Sequence, residues 1–223
     1  MMIKAVIFDL DGTLLDTIQD IANTGNRILK NRGYEPLSIK TYKMYVGKGV
    51  RHLLDKMIEH YMIPKHMFDD MLKDYYVFYK EESDKTTKVY DGMQAALKEM
   101  KNMGISISVL SNKPHEQVLD LMPKYFSDNI FDKTYGKHGG IKPKPDPTLL
   151  RKLIRELKVK KTQVLYVGDT KTDMETALNT GVASVGVLWG FRDETELVQA
   201  KASYIVSKPE EIIRVIQEKN KKH

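Results

Sequence analysis

Two aspartates that follow a buried strand are the first residues in this sequence that could do chemistry. Residues 3 to 8 are almost all apolar, and their branched and aromatic side chains predict a strand that is buried on both faces. Asp9 and Asp11 come directly after it, followed by Gly12 and Thr13. Carboxylates are costly at the end of a buried strand unless a cation meets them there. We therefore predict a cation site at this point, with a tight turn at Gly12 and a Thr13 hydroxyl that can donate to a phosphate oxygen.

Two simpler interpretations of the aspartates stay open from this segment alone. Asp-Gly is a common turn pair, so Asp9 and Asp11 could form a turn and cap the following helix. They could also bind a metal without either acting as a nucleophile. The rest of the chain has to distinguish these possibilities.

Other polar residues occupy the same kind of position, at the ends of predicted strands or in the loops that follow them. They are Ser111, Asn112, Lys142, Lys144, Asp169 and Asp173. Each alone has an ordinary explanation as a helix cap, a turn residue or part of a proline-rich loop. Because the carboxyl ends of parallel strands form the ligand-binding edge of an α/β sheet, we expect these side chains to meet there.

The elements that must position these residues fall into two groups. Apolar residues recur at helical spacing through residues 16–82 with no strand signal between them, whereas strands and helices alternate from about residue 89 onward. The pattern predicts an α/β fold, with a Rossmann-like parallel sheet core and an inserted all-helical cap. We place the core domain at residues 1–14 and 84–223 and the helical cap at residues 15–83. The polar run at residues 81–88 is expected to be a linker.

The amino-acid composition excludes several kinds of site and partner. The 223 residues include no cysteine, which excludes disulfides, thiolate metal sites and cysteine nucleophiles. The N-terminal residues lack the apolar core of a signal peptide, and no apolar run approaches the length of a membrane span, so we expect a cytoplasmic protein that binds no membrane. The formal net charge is +6, but the lysines are spread along the whole chain and interleaved with Asp and Glu, apart from a short basic run at residues 219–223. We therefore predict attraction of small anions rather than binding of nucleic acid.

The order of the motifs resembles that of the haloacid dehalogenase superfamily of phosphohydrolases. The matching segments are Asp-x-Asp-Gly-Thr from Asp9, a strand followed by Ser111-Asn112, Lys-Pro-Lys-Pro from Lys142, and Gly-Asp-x-x-x-Asp ending at Asp173. The helical insert looks like the C1 cap of that superfamily. Two further segments, at residues 45–49 and 188–194, are similar to those of its phosphoglycolate phosphatases.

This resemblance implies a role for each acidic residue. Asp9 would accept the phosphoryl group as an aspartyl phosphate, and Asp11 would protonate the leaving oxygen and later deprotonate the attacking water. Mg²⁺ would be held by the carboxylates of Asp9 and Asp169 and by the backbone carbonyl of Asp11. Asp173 would hold the waters of the metal or the side chain of Lys142.

The remaining roles concern the phosphate. The family pattern favours Lys142 as the cation that lets phosphate approach Asp9, with Lys144 as a rival because it also precedes a proline. The groups expected to cradle the phosphate are Gly12, Thr13, Ser111 and Asn112.

Two cap residues are predicted to determine substrate specificity. Lys48 lies between two glycines, and a loop of this kind can carry a side chain into the site when a cap closes. Lys48, with Arg51 one turn later, would then meet the carboxylate of a small phosphorylated acid. The simpler alternative is a solvated lysine on a flexible turn.

We thus expect a Mg²⁺-dependent phosphatase that hydrolyses a small phosphomonoester, most simply 2-phosphoglycolate, as a monomer or homodimer. A pyrophosphatase, a nucleotidase or a sugar-phosphate mutase of the same superfamily is the alternative. A phospho-accepting signalling domain also uses an aspartate, a hydroxyl and a lysine, but there the aspartate lies in a later strand and no cap is inserted. A catalytically silent binding module should have lost a motif residue, and none is missing.

Overall fold

A computed structural model describes residues 2–221. Eight strands are found in this range. In chain order they are Ala5–Phe8 (β1), Leu15–Asp16 (β2), Lys88–Val89 (β3), Ser106–Pro114 (β4), Lys133–Lys137 (β5), Val164–Gly168 (β6), Ala183–Val187 (β7) and Tyr204–Val206 (β8).

Ten α-helices accompany these strands in the described range. They are Ile18–Lys30 (α1), Ile39–Tyr45 (α2), Val50–Tyr61 (α3), Phe68–Glu82 (α4), Met93–Asn102 (α5), His115–Tyr125 (α6), Thr148–Glu156 (α7), Lys171–Thr180 (α8), Glu194–Gln199 (α9) and Pro209–Lys221 (α10). None of the helices in residues 2–221 is long and apolar enough to cross a membrane.

The central sheet has six parallel strands in the order β5-β4-β1-β6-β7-β8, so β1 lies between β4 and β6. Every side chain of β1 is buried. Val6 and Phe8 pack with residues of α5 and α10 on one face, and Ala5 and Ile7 pack with residues of α7 and α8 on the other. The predicted α/β fold with a Rossmann-like parallel sheet is confirmed.

The helices α1 to α4 follow β1 in sequence and have a hydrophobic core of their own. Its fully buried members include Ile28, Leu29, Tyr42, Leu54, Met57 and Met71. A short antiparallel ribbon of β2 and β3 stands where the chain leaves the sheet for these helices and where it returns. We refer to the four helices as the cap; the domain boundaries at residues 14/15 and 83/84 stay a prediction.

The segment predicted as a linker is held more firmly than its polar composition suggests. Helix α4 continues to Glu82, and the fully buried carboxylate of Asp20 binds the segment that follows. Asp20 accepts hydrogen bonds from the hydroxyls of Thr86 (2.6 Å) and Thr87 (2.7 Å) and from their backbone N–H groups. The return from the cap to the sheet is therefore fixed to the first cap helix.

The strand ends differ from prediction in one place that affects the site. We expected the strand before Ser111 to stop at Leu110, but β4 extends to Pro114 with an irregular register after Leu110. Ser111 and Asn112 consequently lie within the strand rather than after it. The extension carries Lys113 into the ligand-binding edge of the sheet.

Candidate active site

The centre of the site is the carboxylate of Asp9, at the carboxyl end of β1. The backbone N–H of Asp9 donates to the carbonyl of Val167 on β6 (2.8 Å), which continues the sheet past the strand end. The residue is only 5% exposed. Its Oδ1 lies 2.8 Å from the ammonium of Lys144.

The lysine beside Asp9 is Lys144, and the prediction that favoured Lys142 is wrong on this point. The ammonium of Lys144 is buried between Asp9 and Asp173, 2.7 Å from Asp173 Oδ1, whereas Lys142 is exposed. The reason is Asn112, whose side-chain amide accepts from the N–H of Lys144 (2.8 Å) and donates to its carbonyl (3.1 Å). This pair of hydrogen bonds draws Lys144 into the sheet edge and leaves Lys142 at the surface.

Asp173 is engaged through both of its oxygens. Oδ2 accepts from the N–H and the hydroxyl of Thr170 and so caps the N-terminus of α8, where a carboxylate is favoured by the helix dipole. Oδ1 accepts from Lys144 and from the hydroxyl of Tyr166 (3.3 Å). Asp173 is therefore placed to orient Lys144.

The carboxylate of Asp169 follows β6 and is completely buried. Its Oδ2 accepts from the N–H of Phe191 (2.8 Å), and its Oδ1 accepts from the hydroxyl of Thr13 (3.3 Å). The backbone of Gly12 lies so close to this carboxylate that an added Cβ would be 2.3 Å from Asp169 Oδ2. Its φ of +84° also favours glycine. The turn after β1 thus brings its backbone against this carboxylate.

The site concentrates negative charge away from water. Burial raises the pKa of Asp9 to about 7, against the opposing effect of Lys144, and nearby Asp173 and Asp11 raise it further. Burial likewise raises the pKa of Asp169 well above its usual range, reinforced by Asp173 and Asp9. Burial disfavours the Lys144 ammonium, but Asp173 and Asp9 outweigh it and hold the pKa of Lys144 above its usual value.

This donor set fits a divalent metal ion. Asp9, Asp169 and Asp173 each offer a carboxylate oxygen, and these three oxygens lie within 4.8 Å of one another. Carboxylate oxygens are the ligands that Mg²⁺ takes, and a cation would relieve the repulsion between buried anions that Lys144 alone does not balance. Asp173 Oδ1 and Oδ2 each accept a hydrogen bond of 2.7 Å, from Lys144 and Thr170, whereas Asp169 Oδ1 accepts a long one of 3.3 Å from Thr13. Asp9 and Asp169 are therefore the carboxylates best placed to hold the ion.

The second aspartate of the motif has a different environment. Asp11 is half-buried, and its Oδ1 accepts from the hydroxyl of Thr17 (2.8 Å). The ammonium of Lys113 lies 3.0 and 3.2 Å from its two oxygens. Sequence reasoning missed Lys113, although it directly follows the predicted Ser111 and Asn112; recognising it required knowing that β4 continues past them.

A cavity between the sheet edge and the cap opens onto these groups. It has about 480 Å³ of empty space, including its opening to solvent. The core contributes Asp9, Asp11, Ser111, Asn112, Lys113 and Gln117, and the cap contributes mainly apolar groups, Ile21, Val46, Val50, Leu53 and Tyr75. The structure therefore brings together Asp9, Asp11, Ser111 and Asn112 from the predicted site. The backbone of Gly12 and the hydroxyl of Thr13 lie beside Asp169 instead of lining this cavity.

Lys48 and Arg51 do not line the cavity, contrary to prediction. In the loop before α3 the backbone faces the core, because the Gly47 carbonyl accepts from Asn112 (3.1 Å) and Gly49 approaches the Asn112 backbone closely. The side chain of Lys48, between the two glycines, is exposed and lies in a separate surface depression. Arg51 is also exposed and lies over the ring of Phe68.

The loop after β7 connects the carboxylate of Asp169 to the cap. The indole N–H of Trp189 donates to the carbonyl of Thr13 (3.0 Å), and the Phe191 N–H binds Asp169. The guanidinium of Arg192 then reaches the C-terminal end of α2, where it donates to the carbonyls of Lys43, Met44 and Val46. One short segment thus contacts the turn after β1, a site carboxylate and a cap helix.

Comparison with known proteins agrees with this geometry. A family model described as haloacid dehalogenase-like hydrolase matches residues 6–187. A phosphoglycolate phosphatase of Pseudomonas putida is 31% identical over 84% of this chain and 70% of its own length, and one of Vibrio parahaemolyticus is 26% identical over 96% of each. A crystal structure from Lactobacillus delbrueckii subsp. bulgaricus superposes with a TM-score of 0.92 at 26% identity, covering 97% of this chain and 99% of the other.

The family match covers most of the sheet core and the cap, and it includes every acidic residue of the site. The fold, the order of the motifs and the arrangement of the carboxylates all agree with it. The chain belongs to the haloacid dehalogenase-like hydrolases.

Proposed function

We propose that this hydrolase is a Mg²⁺-dependent phosphatase that acts on a small phosphomonoester through an aspartyl-phosphate intermediate. The observation that carries the proposal is the different surroundings of the two motif aspartates. Asp9 is buried against Lys144 and near Asp169, as a nucleophile for a phosphate would need to be. Asp11 faces the cavity and the cap, where a leaving group would lie.

In the first step, an Asp9 oxygen forms a bond to phosphorus while the ester P–O bond breaks. The leaving oxygen takes a proton from Asp11. In the second step, water attacks phosphorus, Asp11 accepts its proton, and the bond between Asp9 and phosphorus breaks. Two in-line transfers through one site allow the same groups to stabilise both transition states.

The positive charge that this reaction needs comes from two sources. Bound Mg²⁺, held by the carboxylates of Asp9 and Asp169, would neutralise charge on the phosphoryl oxygens. Lys144 supplies a fixed ammonium 2.8 Å from Asp9, oriented by Asp173. Ser111 adds a cavity-lining hydroxyl.

For the substrate we propose 2-phosphoglycolate. Support comes from the relatives named phosphoglycolate phosphatase, at 25–31% identity, and from a small cavity. A pyrophosphatase, a nucleotidase and a sugar-phosphate mutase are the alternatives within the family. Cytoplasmic location and a monomeric or dimeric state stay predictions.

The test is phosphate release from a panel of substrates with and without Mg²⁺. The panel contains 2-phosphoglycolate, pyrophosphate, a nucleoside monophosphate and a hexose phosphate. We expect the highest kcat/KM for 2-phosphoglycolate, no turnover after EDTA treatment, and inhibition by Ca²⁺, whose longer bonds and additional ligands would distort in-line attack. Full activity in the metal-stripped protein would rule out a requirement for Mg²⁺. A higher kcat/KM for another member of the panel would rule out 2-phosphoglycolate as the preferred substrate.

A further inference from the structure

The ammonium of Lys113 is buried at the leaving-group side of the site. The Lys113 side chain is 3% exposed, and its Nζ lies 3.0 Å from Asp11 Oδ1 and 4.4 Å from the ring centroid of Tyr79 in the cap. Within residues 2–221, this Nζ donates to the two oxygens of Asp11. The aromatic face adds a weaker attraction for the cation.

An ammonium in this position has capacity for another anion. It carries three N–H donors, and a single carboxylate does not use all of them in ideal directions. Burial is costly for a charged group with incomplete hydrogen bonding, and the cost falls when a second anion binds. Lys113 is thus better explained by a ligand than by Asp11 alone.

The distances match an acid group on the leaving side of the substrate. If Asp11 hydrogen-bonds the ester oxygen, that oxygen lies within about 3 Å of the Asp11 carboxylate. In 2-phosphoglycolate the carboxylate carbon is two covalent bonds beyond the ester oxygen, or about 2.5 Å at ordinary bond lengths. Because Lys113 Nζ is 3.0 Å from Asp11, the substrate carboxylate can reach the ammonium without leaving the cavity.

The lining of the cavity includes a second polar side chain that lacks a partner in the described part of the chain. Gln117, two residues into α6, lines the same cavity, and its buried Oε1 has no hydrogen-bond partner within residues 2–221. A side-chain amide that rotates by half a turn presents its NH₂ group instead. The cap side of the cavity is mainly apolar, with Val46, Val50 and Leu53, so the charged end of a small acid is drawn toward Lys113.

We propose that Lys113 is the residue that recognises the carboxylate of the substrate, in place of Lys48 and Arg51. This inference rests on the proposed phosphatase function and refines its substrate class to phosphomonoesters with an anionic group two bonds from the ester oxygen. Lys113 pairs with Asp11 and, when the substrate binds, also with the substrate carboxylate.

The test compares 2-phosphoglycolate with ethyl phosphate, in which a methyl group replaces the carboxylate. The measured quantity is the ratio of kcat/KM for the two substrates, because any effect of Lys113 on Asp11 acts on both and cancels. Lys113→Met should lower this ratio roughly tenfold to hundredfold, the range expected for a charge-assisted hydrogen bond. Lys48→Met removes an exposed lysine of the neighbouring loop and should leave the ratio within about twofold.

A binding measurement keeps the test independent of turnover and folding problems. Dissociation constants for both phosphates are measured by calorimetry in the Asp9→Asn background with and without Lys113→Met, after thermal melting has shown that each variant is folded. Lys113→Arg, which keeps the positive charge, provides a second variant and should retain part of the preference.

The outcomes separate the two proposals. Loss of the carboxylate preference only in Lys113→Met supports the assignment. Equal losses on both phosphates would show that Lys113 serves Asp11 alone, and loss of preference in Lys48→Met would return the role to the cap loop; either result overturns the assignment while leaving a working phosphatase. If no phosphate ester is hydrolysed, the proposed function fails, and the binding ratio still decides the role of Lys113.

Discussion

Lys144 shows how a single side chain is selected for the site by contacts that are remote in sequence. Lys142 and Lys144 each precede a proline in one loop, and neither has a local feature that distinguishes it. Asn112, 32 residues earlier, binds both backbone polar groups of Lys144 and places its ammonium between Asp9 and Asp173. The position of a buried amide therefore decides which lysine faces the nucleophile.

Substitution of the two lysines should have very different consequences. Lys144→Met removes a cation beside Asp9, and we expect kcat/KM to fall by about 10² to 10³, the effect of losing one preorganised charge-stabilising group. Lys142→Met, an exposed control in the same loop, should stay within about twofold of the wild type. Steady-state kinetics with thermal melting of each variant checks this; similar losses in both variants would contradict the geometry described for the loop.

Among the structural elements, the loop after β7 connects the cap to the site most directly. The Phe191 N–H binds Asp169, and the next residue, Arg192, donates to the last carbonyls of α2, which have no partner within the helix. Arg192 also lies 3.1 Å from Glu196 of α9, which orients the guanidinium. The position of α2 over the cavity is thereby tied to the residues around a site carboxylate.

Arg192→Ala should release α2 while leaving the sheet intact. The expected result is faster amide hydrogen exchange in residues 39–46, because loss of hydrogen bonds to a charged group costs about 1.5–3 kcal/mol, or roughly tenfold to hundredfold in local opening. Because α2 would no longer be held over the cavity, kcat/KM should also fall, by about tenfold. Arg51→Ala, which removes an exposed arginine of the cap, is the matched control and should change neither quantity appreciably. Unchanged exchange in α2 of the Arg192 variant would mean that apolar packing alone holds the cap in place.

At the scale of the whole molecule, the architecture and the clustering of the acidic residues could be predicted from the sequence. Alternating strand and helix patterns predicted the parallel sheet, and polar residues at strand ends predicted that Asp9, Asp11 and Asp169 share one edge. Hydrophobic periodicity carries this information because it follows from which face of each element is buried.

The contributions of three lysines could not be predicted in the same way. The choice of Lys144 depends on a long-range hydrogen bond, and the burial of Lys113 depends on an extension of β4 beyond its apolar run. The prediction that Lys48 enters the site was wrong for a related reason. Two flanking glycines indicate that the backbone can turn sharply at Lys48, but they do not determine the direction of its side chain. Side-chain direction in loops is set by tertiary contacts, which local patterns do not encode.

The central claim is that the phosphoryl group passes through Asp9, and chemical trapping tests it most directly. The protein is mixed briefly with Mg²⁺ and the best substrate of the panel, quenched with borohydride, which reduces an acyl phosphate to an alcohol, and analysed by peptide mass spectrometry. We expect a reduced side chain at Asp9 that requires substrate and is absent from Asp9→Asn, which should also release no phosphate. Phosphate release at the wild-type rate by Asp9→Asn, or trapping at a different carboxylate, would contradict the proposed mechanism.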